Sequence, residues 1–172
     1  MKKLLSLFLA ICTCISVVIL LASCDKGKMT KEEWSAMTSP ELFTNYTEKT
    51  TVTDQFSKTE VEYRVVDGVL LYTANVIYDP TTGEIQSEQP WTLADYSVSL
   101  VWPQFNQLQY DKERDIYQYA ENGTRREYTI KDGKIWKVYS EVSYTDETLG
   151  KIDATITTEY SNYGTTVAPA ID

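Results

Sequence analysis

Hydrophobic and polar positions follow three successive patterns along this chain. Residues 4–22 carry no charge and are mostly Leu, Ile, Val and Ala, behind the basic pair Lys2 and Lys3. About 20 apolar residues suffice to cross a bilayer. The basic start and the small Ala22 and Ser23 at the exit instead give this run the profile of a secretory signal. A short helical pattern comes next. Thr30 and Glu33 have capping-box spacing, with Met29 and Trp34 at the staple positions on either side. A helix from Lys31 to about Met37 is expected, with Ser39-Pro40 restarting or ending it.

Beyond Thr44 the period becomes two. Ile152, Ala154, Ile156, Thr158 and Tyr160 share one face of a strand, and Asp153, Thr155, Thr157 and Glu159 the other. Trp136, Val138, Val142 and Tyr144 mark the buried side of a neighbour, and Val61, Tyr63 and Val65 that of another. Asp67-Gly68, Asn122-Gly123 and Asp132-Gly133 are hairpin turns, because these pairs tolerate the positive φ of type I′ geometry. Strands joined by tight turns make an antiparallel meander. Residues 91–102 combine β-propensity and partial alternation with a cap at Thr92 and a stop at Pro103. A helix is the expectation there, lying over the sheet as a lid. The expected fold class is α+β, mostly β: a meander with an N-terminal helix and a lid helix.

Composition removes more chemistry than it supplies. The whole chain has no histidine, and its cysteines are Cys12, Cys14 and Cys24. If the chain is cut before Cys24, 149 residues remain, enough for a single domain with its own core. They carry 14 basic and 25 acidic side chains, a net charge of −11, with no basic patch. Such a surface repels nucleic acid. Without histidine there is no Ser-His-Asp or Cys-His arrangement, few zinc sites and no ordinary base near neutrality. Asp111, Glu113 and Asp115 are spaced like calcium ligands, yet Ile116 and Asn122 stand where an EF-hand needs glycine and glutamate. A solvated turn is the expectation. No carboxylate pair is nominated for glycoside hydrolysis. No catalytic residue, metal or cofactor is therefore expected.

Leu21-Ala22-Ser23-Cys24 resembles the lipobox of bacterial lipoproteins: apolar, small, small, cysteine. The resemblance implies cleavage between Ser23 and Cys24 and a diacylglyceryl group on the Cys24 sulfur. Two acyl chains suffice for stable anchoring. Residues 1–23 are then a signal peptide, 24–29 a tether and 30–172 one domain, facing outward from the cell membrane. The closing Tyr160-Ser161-Asn162-Tyr163-Gly164-Thr165-Thr166-Val167-Ala168-Pro169 resembles the ending of LolA-like lipoproteins, relatives of mycobacterial LppX and LprG. The hairpins around residues 110–119 and 130–138 are similar too. This likeness implies a strongly curved antiparallel sheet, a partial barrel with helices over its concave side, and lipid or lipidated protein held between.

The function implied is that of a non-enzymatic, membrane-anchored carrier or binding protein for a lipid or other hydrophobic ligand. The alternative is a protein–protein interaction or envelope-assembly module with no small ligand. Thirteen tyrosines and four tryptophans fit an aromatic-lined site, although strands favour these residues on half-buried surfaces anyway. Ligand contact is expected at Trp91 and Trp102, which bracket the lid, at Tyr96 within it, and at Trp136, Val138 and Ile156 on the sheet.

Overall fold

A computed structural model of the chain describes residues 28–68, 70–94 and 100–171. One helix, α1 (Lys31–Met37), opens the described chain. Its capping box is complete: Thr30 Oγ1 accepts from the Glu33 amide, and the Thr30 amide donates to Glu33. Trp34 and Met37 are its buried residues. Pro40 then starts a single 3-10 turn, Pro40–Phe43.

Nine strands follow: β1 (Tyr46–Thr53), β2 (Lys58–Val66), β3 (Leu70–Tyr78), β4 (Ile85–Leu93), β5 (Gln109–Asp111), β6 (Ile116–Glu121), β7 (Thr124–Lys131), β8 (Lys134–Asp146) and β9 (Gly150–Ser161). They form one curved, mostly β antiparallel sheet that does not close, ordered β4-β3-β2-β1-β9-β8-β7-β6-β5. The three expected tight turns have left-handed pairs at Asp67-Gly68, Asn122-Gly123 and Asp132-Gly133. They fix the register of β2–β3, β6–β7 and β7–β8.

Two meanders, β1–β4 and β5–β9, are zipped together where the first strand meets the last. Glu48 lies opposite Tyr160, and Val52 opposite Ile156. This puts β4 and β5 at opposite edges of the sheet. The chain from β4 to β5 therefore joins strands eight inter-strand spacings apart, about 38 Å measured along the sheet at ~4.8 Å each. A helix gains only about 1.5 Å per residue against ~3.3 Å for extended chain. The expected lid helix is accordingly not found at its ends. Trp91 belongs to strand β4, and 100–104 have no helical turn. Residues 95–99 lie outside the described residues.

One face of the sheet is covered by α1, the 3-10 turn and the crossing segment. Trp34 donates its indole N–H to the Pro103 carbonyl, tying α1 to the crossing chain. The core between these layers is largely aromatic. Phe43 touches Tyr46, Tyr160, Tyr163 and Trp102, while Trp34 and Trp102 both reach Tyr128. Ring centroids lie 5.3–6.5 Å apart, mostly edge to face, the favoured arrangement for aromatic pairs. Tyr46, Tyr128 and Ile135 are the largest fully buried side chains.

Candidate functional site

The aromatic cluster fills most of the space beneath the cover, but not all of it. Beside Trp102, where the crossing segment passes β7, β8 and β9, an open groove of about 240 Å³ remains. Its apolar wall is Leu100, Trp102, Val138, Val142 and Ile156, and its polar wall Ser140, Thr158 and Arg126. Strand alternation places each of these. Val138 and Val142 lie opposite Thr158 and Ala154, and Ser140 opposite Ile156, so all point to the covered face. Three residues expected to contact a ligand, Trp102, Val138 and Ile156, thus line one groove. Its volume lies just below the ~300–1,000 Å³ common for ligand pockets.

The other expected contacts are distributed differently. Trp91 lies on the opposite, open face, its ring 4.5 Å from the Arg64 guanidinium. Arg64 pairs with Thr47, so it points away from its buried neighbour Val65. Trp136 is also on the open face, and the cause is a bulge. The β7–β8 register shifts between Thr129 and Ile130, whose partners are Lys137 and Ile135. The additional residue lets Ile135 take the core position, 0 % exposed, and turns Trp136 outward at 40 %. Tyr144, expected on the buried side, is 49 % exposed, because its hairpin extends beyond the neighbouring strands. Tyr96, Ser23 and Cys24 lie outside the described residues.

One buried group went unnoticed in the sequence: Glu48. It sits on β1 between Tyr63 of β2 and Tyr160 of β9, pointing to the covered face. It is 9 % exposed. Its Oε1 accepts a 3.3 Å bond from the Thr50 hydroxyl, and Oε2 has no hydrogen-bond partner. Burial raises the Glu48 pKa above the usual carboxylate range, an effect that the Thr50 hydroxyl partly offsets. Burial likewise drives the Tyr46, Tyr160 and Tyr163 phenols far up, and the nearby Glu48 carboxylate adds to this. Thr50 and Thr158, joined by a 2.9 Å hydroxyl pair, separate Glu48 from the groove. The signal was one of phase: Tyr46, Glu48, Thr50 and Val52 share period-two positions.

A second, wider depression of about 630 Å³ lies on the open face over β6, β7 and β8, lined by Trp136, Tyr139 and several charged side chains. Glu127 at its floor holds Arg114 in a two-pronged contact at 2.6 and 2.5 Å, and Arg125 at 3.1 Å. Asp111 and Asp115 serve a turn, as expected. Asp111 Oδ1 accepts from the Glu113 and Arg114 amides, and Asp115 from the Tyr110 hydroxyl. Among the described residues, no group of three metal-ligating side chains is assembled. No protein-family model matches the chain, and no curated protein matches it.

Proposed function

We propose that this chain is a non-enzymatic binding protein, tethered to the outer side of the cell membrane through lipid on Cys24. In this reading its LolA-like covered face takes one short apolar segment of an amphiphile. The groove beside Trp102 carries the reading, since four aliphatic side chains and an indole line one wall while Arg126 lies among its polar residues. Each buried CH₂ would contribute about 0.8 kcal/mol. The size of the groove argues for a single short chain rather than the whole acyl portion of a diacyl lipid. The guanidinium of Arg126 suits an anionic head.

Mass spectrometry of organic extracts from membrane-purified, full-length protein is the test. Wild type should release one amphiphile per chain besides its covalent lipid, and Val138→Trp, which fills the groove, should release none. An empty wild type, or an equally loaded Val138→Trp, would overturn the reading.

The interaction-module alternative draws on the β8–β9 hairpin. Residues 142–146 and 150–154 extend past the last partners on β7 and β1 and pair only with each other. Tyr144 and Leu149 are exposed there. Free strand edges of this kind accept an added strand from a partner. Cross-linking from position 144 to a single envelope protein would favour this alternative.

A further inference from the structure

The β7–β8 bulge does two things: it seats Ile135 in the core and turns Trp136 to the open face. A regular β8 would carry Trp136 inward in phase with Val138, whereas the bulge presents it to solvent near the β7–β8 turn. Bulges recur where a strand must re-aim a side chain at a functional site. Trp136 borders a depression whose volume, about 630 Å³, falls within the usual range for ligand sites. Lys131 sits 5.7 Å from the Trp136 ring centroid, a cation–π contact that steadies the ring.

The chemistry around the ring narrows the ligand. Arg114 and Arg125 share Glu127, and Tyr139 donates to Glu141 at 3.0 Å. Lys137, which also lines the depression, lies 4.0 Å from Glu159. Three lining cations thus face Glu127, Glu141 and Glu159, so the site makes little demand for a charged ligand. Hydrogen-bonding capacity remains. A guanidinium has five N–H donors, and Arg114 and Arg125 spend only some of theirs on Glu127 while both stay about half exposed. A flat indole beside fixed, forked donors and acceptors matches a ring with one C–H face and a rim of hydroxyls. An extended peptide fits less well, because β7 and β8 lie inside the sheet with paired backbones and β5 covers the outer edge of β6 over Ile116–Gln118.

We infer that the open face carries a saccharide-binding site for a short neutral oligosaccharide, with Trp136 as the stacking platform and Arg114, Arg125 and Glu141 as the hydroxyl partners. It lies on the face opposite the groove beside Trp102 and is independent of it. The full chain, purified in detergent, would be run in native affinity gels containing neutral polysaccharides: a glucan, a xylan, a mannan, a galactan and soluble chitin. At least one should retard the wild type. Trp136→Ala should weaken that binding at least tenfold, and Arg125→Gln should weaken it as well. Trp91→Ala, on the same face but on β4, and Val138→Trp, on the covered face, should leave it unchanged. Unaltered circular dichroism of Trp136→Ala would separate lost binding from lost folding. No retardation by any of the five, binding indifferent to Trp136→Ala, or binding only to anionic polysaccharides or to peptides would overturn the inference.

Discussion

Glu48→Gln should make this protein more stable, and only above the acid range. The carboxylate is buried in the central strand pair with one accepted hydrogen bond and one bare oxygen. A buried polar group left unsatisfied costs about 1–3 kcal/mol, and more when charged. Because burial raises the folded-state pKa, the native chain holds this proton at pH values where the unfolded chain, with a glutamate pKa near ~4.3, has released it. The native state then binds more protons than the unfolded state, so unfolding free energy falls as pH rises through that window. Above the folded pKa the full penalty applies. Gln resembles the protonated acid and does not titrate. Wild type and Glu48→Gln should therefore be equally stable near pH 4 and differ by about 1–3 kcal/mol at pH 8. At ~2–4 °C per kcal/mol for a domain of this size, the melting temperature would rise by about 2–12 °C. Urea melts followed by tryptophan fluorescence at pH 4, 6 and 8 would measure the gap. A gap that does not widen with pH, or a variant less stable than wild type at pH 8, would refute the reasoning.

Two further outcomes follow from the proposed lipid anchor and from turn geometry. Cys24→Ser should move the protein from the membrane fraction to the soluble or secreted fraction and abolish labelling by a palmitate analogue, which fractionation and gel fluorescence would show. Gly68→Ala places a Cβ 3.6 Å from Thr44, ordinary contact, so its cost should come only from φ of +70°. Gly123→Ala, with open space around it and φ of +80°, should cost the same ~1–2 kcal/mol in urea melts. A Gly68 cost well above the Gly123 cost would mean that packing, not backbone, sets it.

Local features of this fold were legible in the sequence and non-local ones were not. A capping box and an Asn-Gly pair are complete within four residues, so Thr30–Glu33 and Asn122-Gly123 announced themselves. The pairing of β1 with β9 has no local signature. Both strands are threonine-rich and alternate in the same way, and only the assembled sheet shows that they are neighbours. From that pairing follow the edge positions of β4 and β5, the long crossing and the missing helix at 91–93 and 100–104. The outward turn of Trp136 has another origin. A bulge adds one residue without changing composition, so Trp136, Val138 and Val142 read as continuous alternation although the face changes between Trp136 and Val138. Glu48 was hidden by its type, since a glutamate among threonines and lysine reads as surface whatever its phase. At the groove, Val138 and Ile156 were legible from apolar alternation, whereas Trp102 was singled out as the end of a lid helix that residues 100–104 do not form.

The closing motif at residues 160–166 has a structural meaning of its own. Asn45, just before β1, uses its side-chain amide as a backbone would: Nδ2 donates to the Thr166 carbonyl at 3.1 Å, and Oδ1 accepts from the Thr166 amide at 2.7 Å. Its carbonyl also accepts from the Gly164 amide at 2.8 Å. Asn162 and Gly164 have φ of 53° and 74°, the left-handed conformations these residue types tolerate. Between them, Tyr163 points to the core and donates to the Ile135 carbonyl at 2.7 Å. The motif is thus a clasp between the start of β1, the bulged strand β8 and the end of β9, at the seam where the two meanders join. Asn45→Ala deletes two hydrogen bonds and strands both backbone groups of Thr166, at about 2–4 kcal/mol. Tyr163→Phe deletes one, at about 1 kcal/mol. If the clasp acts as a unit, opening either end loosens the other, and the double variant should cost less than the sum by at least ~0.5 kcal/mol. Strict additivity would mean two independent contacts, and an Asn45→Ala cost under ~0.5 kcal/mol would mean that the two meanders join without a clasp.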